Sequence, residues 1–271
     1  MNARERRLEF KKPPSFSDSD LDGFFESPCD DMIRDKAYNE NLVTYCGDDS
    51  VSEDIESILG VDWDIPYKPY PPKTVLLPTG ERMVVREASR EEVPRLLQAI
   101  TPLLTVDRDF YDIVAARQYA ELLGWYRRRV RNEFCLIGIV DGKLAGIVNS
   151  RAYDQKTHVS YHTTALKRGA RAGAHLFAAK HEHSIEYLGA EEILVTAESP
   201  IGFRRWIVEW GLQVRPGVQH ELGGAKTWVI TKDIYYKVKP RLVLASRPVP
   251  DDLLKRSEKF EPVPLDWASK Q

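Results

Sequence analysis

From residue 74 onward the chain alternates between short β-branched runs and longer apolar stretches at helical spacing. Thr74, Val75, Leu76 and Leu77 are followed by Met83, Val84, Val85 and Arg86 across Pro78-Thr79-Gly80-Glu81, which predicts a hairpin. Ser89 with Glu92 three residues on has the form of a capping box. Apolar Val93, Leu96, Leu97 and Ile100 then carry a helix to about Pro102. A second helix is predicted over 109–131, where Phe110, Val114, Leu122, Leu123, Tyr126 and Val130 recur near the helical period. Apolar runs at 134–140 and 144–148 meet across Asp141-Gly142, a dipeptide that favours a tight hairpin turn.

The Thr-, Tyr- and Val-rich segment 157–166 reads as a central strand that runs into the glycine-containing stretch 167–174. A helix over 172–188, a strand at 192–196 and a helix over 200–210 stopped by Gly211 follow, so the order is strand, helix, strand, helix. Strands near 212–214 and 226–231 close the sheet. Residues 233–271 read as a proline-punctuated tail with one short helix at 251–258. Upstream, residues 1 to about 60 are acidic and polar, with runs such as Ser17-Asp18-Ser19-Asp20. Residues 62–73 hold Trp63, Tyr67, Tyr70 and the prolines 66, 69, 71 and 72, a composition that stays extended, as a strap or linker. The expected division is an extension over 1–73, a domain over 74–238 and a tail over 239–271, with no internal repeat.

Composition narrows the function classes. With 42% hydrophobic residues over 271 positions the chain can bury a real core. No window approaches the roughly 18 apolar residues of a membrane span, and the charged first twelve residues have no apolar segment behind them. The expectation is a cytoplasmic protein without a membrane partner. Cys29, Cys46 and Cys135 make an odd set with no C-x-x-C pair, so reduced thiols are expected, Cys135 buried and inert in its apolar run. A net charge of −2 does not call for nucleic acid, and the basic residues at 127–129 and 131 read as the solvated end of a helix. His181 and His183, two apart on a helix, face different directions, which argues against zinc and for solvent-facing rings; no metal site is expected.

The sharpest local signal is Arg168-Gly169-Ala170-Arg171-Ala172-Gly173-Ala174, between a strand and a helix. Small residues there let an anion approach successive backbone N–H groups at a helix N-terminus, as a pyrophosphate is held. The same residues also suit close helix packing, and the segment alone leaves both readings open. On the central strand, His158 and His162 are four apart, so in a regular strand they share a face at a separation of about 13 Å, too far to share a metal. Either is a candidate proton acceptor, as is Glu198 at the carboxyl end of the next strand. Against these stand plainer roles: a hydrogen-bonded core histidine, and a solvated carboxylate near a helix N-terminus.

Residues 82 to about 231 resemble the GNAT acyltransferase superfamily in element order and in motif. Val84 to Glu92 is similar to the family's first strand and helix entry, and the Asp141-Gly142 hairpin sits where its second and third strands join. Arg168, Gly169 and Gly173 fit its phosphate loop; Arg171 stands where glycine is usual. The resemblance implies an α+β fold, a mixed and mostly antiparallel sheet flanked by helices, holding acetyl-CoA or another acyl-CoA as co-substrate across a splayed strand pair. It assigns main-chain atoms of 162–166, ending at Leu166, to the pantetheine arm, and Lys167, Arg168, Gly169, Ala170, Arg171, Ala172, Gly173 and Ala174 to the pyrophosphate. Ser199, Gly202 and Trp206 have the spacing of the family's asparagine, alanine and tyrosine. The tyrosine often protonates the departing thiolate, and the indole of Trp206 has no proton to give near neutral pH. The implied activity is N-acyl transfer to a small-molecule or protein amine, with a homodimer left open. The rival reading is a catalytically silent GNAT-like module that binds acyl-CoA or a partner, which Trp206, Arg171 and the aromatic strap favour.

Overall fold

A computed structural model describes residues 60, 62–106, 110–223 and 226–262; the expectations for 1–59, including Cys29 and Cys46, lie outside them. Strands β1 (Lys73–Leu76) and β2 (Arg82–Glu87) form the first hairpin. A 3-10 turn (Arg90–Glu92) leads into helix α1 (Val93–Ile100), and α2 spans Tyr111–Tyr126. At the α1 entry, the Ser89 amide donates to Glu92 Oε2 at 2.9 Å, the capping contact expected from the sequence. Strands β3 (Glu133–Val140) and β4 (Lys143–Ala152) turn at Asp141 and Gly142, both at positive φ, as a two-residue hairpin requires. Then come β5 (Thr157–Ala165), α3 (Ala172–Glu182) with a π-helical extension His183–Tyr187, and β6 (Glu192–Val195). The short α4 (Pro200–Gly202) continues as a π-helical turn, Phe203–Val208, before β7 (Gln213–Val214) and β8 (Trp228–Thr231). Helices α5 (Lys232–Leu242) and α6 (Asp251–Ser257) follow.

The eight strands form one sheet in the order β1-β2-β3-β4-β5-β6-β8-β7. Every pairing is antiparallel except β5 with β6, which are parallel because α3 crosses over between them. The fold is therefore the α+β arrangement expected, a mixed and mostly antiparallel sheet flanked by helices. Helices α1 and α2 cover one face, where Leu96, Ile100, Leu122 and Trp125 meet Cys135, Ile137 and Ile147. Helix α3 covers the other, with Leu176 and Ala179 against Phe134, Leu136 and Val148. Its close approach explains Gly146: a Cβ there would lie 2.7 Å from Leu176 Cδ1 and 2.8 Å from the Thr164 carbonyl oxygen.

Three expectations are corrected. Residues 232–242 form a helix where a tail was expected. The Thr231 hydroxyl accepts from the Ile234 amide to start it, and Tyr235 and Val238 bury against Ile193, Ile207 and Ile230. Pro240 sits in the last turns of that helix and disguised it in the sequence. Second, His181 and His183 are buried, not solvent-facing, because α3 is enclosed nearly all round: the His181 ring packs on Phe177 and Trp210, and that of His183 on Phe134 and Tyr70. Third, His158 and His162 do not share a face. Val148 pairs with Thr163 and Ser150 with Ser160, so two steps along β4 match three along β5. That extra residue is a β-bulge, and it reverses which face successive side chains take. His158 turns toward α3, and His162 toward α2.

The aromatic strap is spent on packing. Tyr70 Oη donates to Glu182 Oε2 at 2.6 Å, Asp64 accepts from the Asn132 side-chain amide, and His183 Nε2 lies 2.9 Å from the Lys68 carbonyl oxygen. Lys73 and Arg247 complete the site around Glu182 at 2.6 and 2.9 Å. Residues expected in the tail return to the sheet, Ser246 bridging to Thr74 and Glu261 to Lys143.

Candidate functional site

Strands β5 and β6 pair only from Thr157 with Glu192 to Val159 with Leu194; beyond that they part. The divergence opens a cavity of about 280 Å³ lined by both strand ends, the 167–174 loop and the start of α4. Backbone amides along 160–165 on the β6 side therefore lose a strand partner there, and a cleft with main-chain donors on its wall results.

The loop enters α3 through two left-handed residues, Gly169 at φ +76° and Arg171 at φ +58°. Glycine occupies that region freely; arginine does so at a cost. This is a physical reason for glycine at the position Arg171 holds. The Arg171 guanidinium is ion-paired with Glu209, 3.0 Å away, which partly neutralises it at the cavity rim. The first-turn amides of α3 have no acceptors within the helix and face the cavity rim together with the helix dipole. Gly173 packs where a Cβ would lie 3.2 Å from Ala165 Cβ and 4.0 Å from Trp206, so it keeps helix, strand and indole close. Lys167 and Arg168 line the same rim, Lys167 held by Glu81 at 3.0 Å and Arg168 over the Tyr111 ring at 5.3 Å. The donor set suits a pyrophosphate.

Of the residues singled out in the sequence, Lys167, Arg168, Gly169, Arg171, Ala172, Gly173, Ala174, Ser199, Trp206, His162 and Glu198 line the cavity. Leu166 and Ala170 do not; their side chains are buried in the two cores flanking the sheet. His158 is fully buried on the opposite face, both ring nitrogens without a partner, and burial lowers its pKa to about 4. Glu198 is ion-paired with Arg117 of α2. Ser199 does not face the cleft freely, since its Oγ caps α4 by accepting from the Gly202 amide at 3.0 Å. Trp206 stacks on Phe177, ring centroids 4.3 Å apart and 15° between planes.

The structure adds partners that pattern reading missed. His162 Nε2 lies 3.0 Å from Glu121 Oε1 on α2. Glu121 Oε2 accepts from Asn149 Nδ2 at 2.6 Å, and Gln118 Nε2 donates to Asn149 Oδ1 at 3.2 Å. Asn149 also donates to Glu133 at 3.1 Å. Burial, with the nearby Glu121 carboxylate second, pushes the Glu133 carboxyl well above the usual range. The result is an imidazole at the cavity wall oriented by a carboxylate that is itself fixed by an amide chain. That arrangement can take a proton from a bound group and hold the resulting imidazolium. One signal for it was present in the sequence: Gln118 interrupts the buried α2 stripe of Ala115, Leu122 and Trp125.

No protein-family model matches the sequence and no curated protein matches it. Among solved structures the chain is similar to a putative acetyltransferase from T. thermophilus, at 17% identity and a TM-score of 0.42 over 65% of this chain and 97% of that one. It is also similar to the GNAT domain of S. lividans PAT, at 12% identity and a TM-score of 0.44 over 61% and 99%. Mycobacterium smegmatis RimJ in complex with CoA-disulfide is similar at 9% identity and a TM-score of 0.44 over 65% and 97%. Among the described residues no group of histidine, cysteine and carboxylate side chains is placed to hold a metal ion, and no helix is long and apolar enough to cross a membrane.

Proposed function

We propose that the chain is an acyl-CoA-dependent N-acyltransferase acting on an amine. The observation that carries this reading is the coincidence, in one cleft, of a splayed parallel strand pair, an anion-suited loop at a helix N-terminus, and a carboxylate-oriented histidine. The loop at 167–174 holds the pyrophosphate of coenzyme A, and main-chain atoms of β5 line the pantetheine arm. Bound acyl-CoA supplies the activated acyl carbon. The amine nitrogen forms a bond to that carbon, the carbon–sulfur bond breaks with its electron pair on sulfur so that coenzyme A departs as the thiolate, and His162, oriented by Glu121, accepts the proton the amine gives up.

A second reading rests on one observation. Trp206 lines the cavity stacked on Phe177, at the position where the GNAT resemblance leads one to look for a proton donor to the departing sulfur. On that reading the protein binds acyl-CoA and does not turn it over.

Calorimetric titration with acetyl-CoA and CoA separates the outcomes, run beside the Arg168→Ala, Gly173→Trp double variant. Saturable binding to the unaltered protein, lost in the variant, supports the loop assignment and opens a screen of amines. Turnover lowered roughly 100-fold or more in Glu121→Gln and His162→Gln, with binding kept, supports transfer. Binding without turnover of any amine favours the silent module. Absence of binding to acetyl-CoA and longer acyl-CoAs alike refutes both.

A further inference from the structure

Lys180 lies in the last turn of α3, directly after the apolar run Phe177-Ala178-Ala179, and none of it is exposed. A buried ammonium normally has a carboxylate beside it. Among the described residues Lys180 has none within ion-pair distance. Its Nζ instead lies 3.3 Å from the Asn149 carbonyl oxygen, 3.1 Å from that of Tyr161, 3.2 Å from that of His162 and 3.4 Å from Thr163 Oγ1.

The three carbonyls share one feature. Asn149 is the β4 residue opposite the bulge, and Tyr161 and His162 are the β5 residues that the register shift leaves without ladder partners. A bulge interrupts the strand ladder and strands main-chain carbonyls, which are costly when buried without donors. An ammonium offers three donors from one point, which a strand edge cannot do and which water cannot do where it has no access.

We propose that Lys180 is a positioning residue of the site: its ammonium sustains the β5 bulge and so keeps His162 turned to the α2 face, against Glu121. The role of His162 as proton acceptor is the reading given above, and the inference rests on it only for its catalytic consequence. Without the bulge, β5 slips by one residue relative to β4, and His162 turns from α2 to the α3 side. The distinction between His158 and His162, four apart and on opposite faces, is on this view made by a side chain from a different element. Burial lowers the Lys180 pKa to about 7. Glu121, Cys135, His181 and His220 are the titratable groups that feel its charge.

The test uses the full chain and needs no acyl-CoA. In Lys180→Met, the nuclear Overhauser contact from the His162 ring to the Glu121 side chain should vanish or split into two registers. A folded Lys180→Met that keeps this contact at full intensity overturns the proposal. Should the variant not fold, the unaltered protein decides, with the Lys180 Nζ resonance followed as pH is raised. Weakening of the contact in step with loss of the ammonium proton, in a protein whose near-UV circular dichroism is unchanged, supports the role; a contact constant through that titration overturns it. If turnover is established, kcat in folded Lys180→Met falls about 100-fold, as for a lost proton acceptor. A role in packing alone lowers Tm without that loss. Failure of the acyltransferase reading would leave the nuclear Overhauser result standing.

Discussion

Replacing His158 with leucine tests the division of labour between two histidines that a regular strand would treat alike. The His158 ring is fully buried, neither nitrogen has a partner, and burial followed by the charge of His183 lowers its pKa from 6.5 to about 4. A folded-state pKa below the unfolded one means that the unfolded chain binds the proton more readily. Stability from the neutral ring is present above pH 6.5 and is lost as pH falls toward 4. With about 1.4 kcal/mol for each pH unit between the two values, the limit is about 3.4 kcal/mol, and at pH 5 the loss is about 2 kcal/mol. Leucine has no proton to take up. The assay is urea denaturation of both proteins at pH 7.5 and pH 5, comparing the drop in unfolding free energy between the two. The drop should be smaller in His158→Leu by about 2 kcal/mol, equivalent to about 4–8 °C in Tm at pH 5. A difference below about 0.5 kcal/mol would refute the account of His158 as a neutral core residue. In the same preparations, His158→Leu should keep acyl-CoA binding and any turnover, whereas His162→Gln keeps binding and loses turnover.

Other consequences follow from the loop and the strap. Arg171→Gly removes a side chain from a left-handed backbone position at φ +58°. It should gain about 0.5–1 kcal/mol net of glycine's greater unfolded-chain entropy, since a guanidinium that is 41% exposed draws little from Glu209. Arg171→Ala keeps the strain and loses the pair, so thermal denaturation should rank Arg171→Gly above the unaltered protein and Arg171→Ala below it; the reverse order for the two variants would contradict this. Lys73→Met leaves the Glu182 carboxylate with one cation fewer in a site where both side chains are at most 4% exposed. It should cost about 3–5 kcal/mol in chemical denaturation, and a loss under about 1 kcal/mol would mean that Arg247 and Tyr70 suffice.

Element order was already carried by local sequence. Periodicity, the Asp141-Gly142 turn and the Ser89–Glu92 cap are set by backbone geometry within a few residues, and they placed most of the strands and the crossover helix before any contact was known. The glycine-bearing loop was legible for the same reason: positive φ and close approach constrain residue type locally. Helix 232–242 was hidden because its stabilisation comes from Tyr235 and Val238 meeting strands and helices far away in the chain. The strap at 62–73 could be read as extended from its prolines, yet only packing brought Tyr70 and Lys73 to Glu182, more than a hundred residues away. Most of the candidate chemistry belongs to that second kind. Glu121, Asn149 and His162 come from three elements, and their meeting depends on a register shift of one residue between β4 and β5. A strand's period of two makes that single residue decisive for which face a side chain takes, and neither propensity nor spacing within β5 marks it. The shift is a long-range matter because the stranded carbonyls of the bulge are met by Lys180, delivered from the far face of the sheet by α3.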